Sequence, residues 1–135
     1  MQNMPSDKSA LGLDANVVAG LCYVGNLVCA LGLILSIITI VTDKTNKLAR
    51  FHAFQSLFLS ALGFVLGILY WILAVVALLL DNALGFPIFW ILLTLVIVVV
   101  WIVLVIGIVV AAIKAFQGQI YQLPVIGKFA DQYSN

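Results

Sequence analysis

Charge is what this sequence has least of. Its 135 residues carry six Lys and Arg, five acids that are all Asp, and a single His, so 8% of the chain is charged against about 25% in a typical soluble domain. With 65% of residues hydrophobic there is too little polar surface to clothe the chain in water, and its expected surrounding is a lipid bilayer. A formal charge of +1 provides no field for gripping nucleic acid. Lipid, other membrane protein subunits or further copies of the chain are the partners that remain. Cysteine is equally scarce. Cys22 and Cys29 would stand roughly 10 Å apart along one helix, beyond the roughly 7 Å between Cα atoms that a disulfide tolerates, so two free thiols are expected. No further ligands stand near them, and no metal site is assigned.

Interruptions by charge are also few. The chain is uncharged from Ala15 to Thr42, from Phe51 to Leu80 and from Asn82 to Ile113, runs of 28, 30 and 32 residues. A hydrocarbon core of about 30 Å needs about 20 helical residues at about 1.5 Å each, so each run suffices for one crossing and none for two. The pattern predicts an all-α integral membrane protein. A polar tail over 1–14 leads into a three-helix transmembrane domain over 15–113, with helices at 17–42, 52–80 and 87–113, followed by an interfacial tail over 114–135. The lead-in MQNMPSDKSALGLD is polar and the first run exceeds the roughly 7–15 apolar residues of a secretory signal, so the first helix is expected to stay in the mature protein.

With three crossings, Lys44, Lys47, Arg50, Lys114 and Lys128 fall on one side and Lys8 alone on the other. The positive-inside rule then puts the N-terminus outside and the C-terminus in the cytoplasm. The TDKTNK and DNALGFP segments read as turns, because Asp, Thr and Asn offer side-chain bonds to backbone groups leaving the hydrocarbon, and Gly85 and Pro87 punctuate. Gly118, Pro124 and Gly127 interrupt the tail, whose Phe116, Tyr121 and Phe129 suit the interfacial zone.

Small residues recur along the first predicted helix as Cys22, Gly25, Cys29, Gly32, Ser36 and Thr39, alternately three and four apart. The second repeats the device with Ala53, Ser56, Ser60, Gly63, Gly67, Ala74 and Ala77. Membrane helices associate through close backbone approach and hydrogen bonding, which small side chains permit, so these two faces are expected to pack. Gly63→Leu or Gly67→Leu should then part the second helix from its neighbour. The third helix, rich in Val and Ile from Ile91 to Val110, suits lipid or a smooth partner.

No Asp, Glu, Lys or Arg lies deep in a predicted span, which removes the ionisable relays of proton-coupled transport. His52 and Gln55 stand about one turn apart at the start of the second helix, with Ser56 beside them. Ser56, His52 and Asp43 suggest a nucleophile, base and orienting acid, but Ser56 follows His52 on the same helical turn and no oxyanion donors accompany it. No catalytic residue is assigned. His52 and Gln55 are expected to cap the helix at the interface, which would make His52→Asn nearly silent. The alternative is that His52 ligates the metal of a haem or chlorophyll, making the chain a cofactor-binding subunit.

Three segments carry a resemblance: GLDANVVAGLCY from Gly12 to Tyr23, RFHAFQS with Arg50, Phe51, His52, Gln55 and Ser56, and AIKAFQGQIYQLPVIG from Ala112 to Gly127. Over residues 12 to 130 the chain resembles a bacterial membrane family of unknown function related to the chloroplast import component Tic-twenty. The resemblance implies a helical protein of the bacterial cytoplasmic membrane, with RFHAFQS opening the second helix on the cytoplasmic side. It also implies a Tic-like part in protein translocation as an alternative function, and no enzyme. The leading expectation is a non-catalytic accessory or structural subunit, held in a larger membrane assembly or a homo-oligomer by helix packing.

Overall fold

A computed structural model describes residues 8–28 and 31–134; Cys29 and its expected place in the small-residue seam lie outside the described residues. The elements are α1 (Ala15–Leu27), α2 (Leu31–Thr42), α3 (Lys47–Leu84), α4 (Ile88–Phe116) and α5 (Ile126–Ser134). The chain forms two compact units, one from residues up to Ser60 and from Gly107 onward, the other from Ala61 to Ile106.

The first apolar run is two helices, not the single span expected over 17–42. At about 1.5 Å per residue, the 13 residues of α1 and 12 of α2 reach about 20 and 18 Å, each short of a bilayer core. They fold onto one another through the small residues. A Cβ on Gly25 would sit 2.6 Å from the backbone nitrogen of Gly32, and one on Gly32 would strike the backbone of Cys22 and Asn26. Ser36 and Thr39 lie beside the Cys22 thiol and are fully buried. The small-residue period expected to meet another helix thus joins two halves of one run. Hydroxyls are satisfied inside the hairpin: Ser36 Oγ donates to Gly32 O at 2.6 Å and Thr39 Oγ1 to Leu35 O at 2.8 Å, as an apolar surrounding requires.

The turn into α3 uses the side chains its composition offers. Asn46 caps the helix by accepting the Ala49 N–H at 3.2 Å, and Asp43 accepts the Asn46 N–H at 3.1 Å. The other oxygen of Asp43 accepts the Ala10 N–H at 3.1 Å, tying the N-terminal segment to this turn. Arg50 donates to the carbonyls of Asp43 and Ile40 at 3.2 and 3.4 Å, satisfying groups at the end of α2.

Within the Ala61–Ile106 unit, α3 runs on to Leu84, past the Asp81–Asn82 pair expected to begin the loop. Gly85 ends it at φ 80° with its N–H on Asp81 O at 2.9 Å, an ending that favours a residue without a Cβ. The Asp81 carboxylate accepts the Phe89 and Trp90 N–H groups, both at 2.9 Å, so its charge sits on the otherwise unpaired donors opening α4. Phe64, Trp71 and Leu79 are 71%, 72% and 65% exposed, an outward apolar surface that suits lipid. α3 and α4 are both long and apolar enough to cross a membrane.

Candidate functional site

The RFHAFQS segment forms the first turns of α3, and burial selects which of its residues face inward. Phe51, His52, Ala53, Gln55 and Ser56 are inaccessible, whereas Arg50 and Phe54 are half-buried. A buried polar side chain in such a place needs partners, and each has them.

His52 bridges α1 and the segment after α4. Its Nε2 lies 3.0 Å from Gln119 O, which can only accept, so Nε2 carries the proton. Nδ1 is then the acceptor, and the Tyr23 hydroxyl donates to it at 3.0 Å. The Tyr23 and Phe51 rings meet the imidazole edge to face, at 5.7 and 5.1 Å between centroids. One turn on, Gln55 Nε2 donates to Tyr121 O at 3.2 Å and Gln55 Oε1 accepts the Leu123 N–H at 3.4 Å. Its amide thus treats the chain at 121–123 as a neighbouring strand would, through backbone groups alone.

A second set lies one turn further. Asn26 Nδ2 donates to Ser56 Oγ at 2.8 Å and to Ser56 O at 3.2 Å; Ser60 Oγ donates to Asn26 Oδ1 at 3.0 Å and Ser56 Oγ to Cys22 O at 2.9 Å. The opposite end of α1 is fixed by Asn16 Nδ2 on Phe116 O at 3.0 Å, and by Gly20, where a Cβ would meet the Phe116 ring at 2.5 Å. Cys22, Gly25, Gly32, Ser36, Ser56 and Ser60 are therefore brought together in one unit, by α1, α2 and the start of α3.

Two expectations change here. His52 and Gln55 do not cap α3 at a wet interface, since Asn46 does that and both are fully buried. Gly63 and Gly67 have open space where a Cβ would stand, so the close approach their spacing suggests is not made in the single chain. Both ring nitrogens of His52 are engaged within the chain, on the Tyr23 hydroxyl and on Gln119 O. Tyr23, Asn26 and the 119–123 backbone are partners of the motif that the sequence does not name, as is Phe116 O for Asn16 on α1. Asn26 was legible as a lone amide in an apolar run, whereas backbone partners leave no trace in residue type.

Among the described residues no three His, Cys or Asp side chains converge as metal ligands. An open recess of 510 Å³ at the α3–α4 turn is lined by Asp81, Trp90 and neighbouring apolar residues, and both oxygens of that Asp already serve α4. What the RFHAFQS site does chemically is hold: it binds α1 and the post-α4 segment to α3.

The model of the magnetosome magnetite crystal formation protein family (MamF/MmsF) matches residues 14–130. A UPF0132 membrane protein of Methanocaldococcus jannaschii is 34% identical over 130 residues, 94% of each chain. A second UPF0132 membrane protein of the same archaeon is 31% identical over 128 residues, 92% of this chain and 73% of its own. No solved structure matches the chain. These findings overturn the resemblance to the Tic-twenty-related family, and its implied translocation role goes with it. The chain is a small membrane protein belonging to the magnetosome magnetite crystal formation protein family.

Proposed function

We propose that this protein is a non-catalytic structural or accessory subunit of a membrane assembly, crossing the bilayer with α3 and α4 and carrying both termini on the cytoplasmic side. The observation that supports it most is that the buried polar side chains are committed within the chain: among the described residues His52, Gln55, Asn26 and Ser56 bond one another's elements or the backbone beside them. The topology is supported by the half-length α1 and α2, each too short to cross, and by the Asp43 bond to Ala10, which keeps the N-terminal segment at the turn into α3. All six cations lie outside residues 61–106, on the terminal sides of α3 and α4, which by the positive-inside rule supports a cytoplasmic side for both termini. The family's name concerns magnetite crystals; a role for this chain at a membrane-bound mineral would be of the same scaffolding kind.

Extraction in mild detergents followed by native mass measurement tests the reading. A complex or homo-oligomer is expected; a monomer under every mild condition would sink it.

A further inference from the structure

The nine residues of α5 present two unlike faces. Gly127, Ala130 and Ser134, three and four apart, are buried, and a Cβ on Gly127 would lie 2.6 Å from Gln122 Cα, so this face is pressed onto the chain. On the other side Phe129 and Tyr133, four apart, are 52% and 56% exposed, with Lys128 exposed beside them, and Val125, in the turn just before the helix, is 71% exposed. A short helix with an apolar stripe flanked by a cation is the pattern of a segment lying in the membrane interface.

The surface under α5 continues that pattern. The Tyr133 ring packs on Phe54 and Phe58 at 6.3 and 6.1 Å, Phe54 and Phe58 stack at 6.4 Å, and the Arg50 guanidinium stands 5.8 Å over Phe54. Aromatic rings with a cation at their edge suit the headgroup level of a bilayer. Val125 adds an independent sign. Its φ is 69° in a tight turn closed by the Ile126 N–H on Pro124 O at 2.9 Å, a strained conformation for a β-branched residue. Being mostly exposed, its side chain gains little from the chain itself in return.

We propose that α5 and the Phe54–Phe58 ladder form a seat for anionic lipid headgroups, with Val125 and Phe129 in the glycerol and acyl zone, Lys128 at the phosphates, and Arg50, held by the Asp43 and Ile40 carbonyls, at the rim over Phe54. Charge complementarity selects this occupant: the unit that contains α5 holds all six cations against four Asp, the other unit holds Asp81 alone, and Asp131, the acid of α5, is half-buried and engaged within the chain. The proposal rests on the reading that α3 and α4 cross the bilayer.

The test is amide hydrogen exchange of the full-length chain in nanodiscs of phosphatidylcholine alone and of phosphatidylcholine mixed with phosphatidylglycerol. Exchange in α5 should slow about five-fold in the anionic discs, the ratio equivalent to about 1 kcal/mol for one cation near an anionic leaflet. Lys128→Gln, which leaves the buried face intact, should abolish most of that difference. Val125→Gly relaxes the turn yet should speed α5 exchange in both discs, because the apolar anchor is lost. Equal exchange in the two discs, an undiminished difference in Lys128→Gln, or slower exchange in Val125→Gly would each overturn the proposal. Protection that follows protein-to-lipid ratio and ignores lipid charge would assign the face to a second copy, and also overturn it. Free exchange along α3 and α4 in the same samples would instead show that the crossing reading had failed.

Discussion

A neutral imidazole has one proton to give and one lone pair to offer, and His52 uses them on Gln119 O and the Tyr23 hydroxyl. Asparagine is too short to reach both, so His52→Asn should leave buried groups unpaired and cost about 2–3 kcal/mol, whereas Tyr23→Phe should cost about 1–2. Thermal unfolding of the full-length protein in mild detergent checks both, and a melting temperature within about a degree of the parent for His52→Asn would restore the capping account. The glycines sort by space in the same way. Gly32→Ala drives a Cβ into the backbone of Cys22 and Asn26, and should destabilise by about 3 kcal/mol. Gly63→Leu and Gly67→Leu meet open space and should change the stability of the single chain by no more than about 0.5 kcal/mol. Residue type announced small or polar side chains at all these positions, but not which had a neighbour.

The α1–α2 hairpin shows why hydropathy misjudged the first element. A run of 28 uncharged residues satisfies the length criterion for one span, and it equally accommodates two short helices if small residues allow their backbones to touch. Gly25 and Gly32 allow that contact, and Asn26, unfavourable against lipid, finds Ser56 and Ser60 on α3. At the other turn the break was legible from DNALGFP, yet Asp81 proved to be part of α3 and the cap of α4. Asp81→Ala should cost about 1–2 kcal/mol by removing both the acceptors and the charge at the α4 N-terminus. Its signature is local: exchange at the Phe89 and Trp90 amides should quicken while α1 and α2 stay unchanged. Uniform exchange in the variant and the parent would show that the carboxylate does not hold this turn.

At the scale of the whole molecule, the proposed reading of the first run as a hairpin that does not cross differs from three spans in the parity of crossings. Three spans put the termini on opposite sides, while two spans and a hairpin put them together and leave every cation on the terminal side. Single cysteines at Lys8, Asn82 and Lys128, in a chain freed of Cys22 and Cys29, separate the two arrangements when labelled by a membrane-impermeant maleimide. Positions 8 and 128 should react from the same face and position 82 from the other. Labelling of position 8 together with position 82 would restore three crossings.

Composition alone determined that this chain belongs in lipid, that it is helical, and that α3 and α4 are long enough to cross, because each is an average over many side chains and does not depend on where any of them points. It also marked RFHAFQS as the place where polar groups gather in an apolar chain. Only the tertiary structure decided that His52 and Gln55 are buried, that their partners are the Tyr23 hydroxyl and the backbone of residues 119–123, and that the first run turns back on itself. Those outcomes depend on single close approaches, Gly25 to Gly32 and His52 to Gln119 among them, and backbone atoms that accept or collide are the same at every position of a sequence.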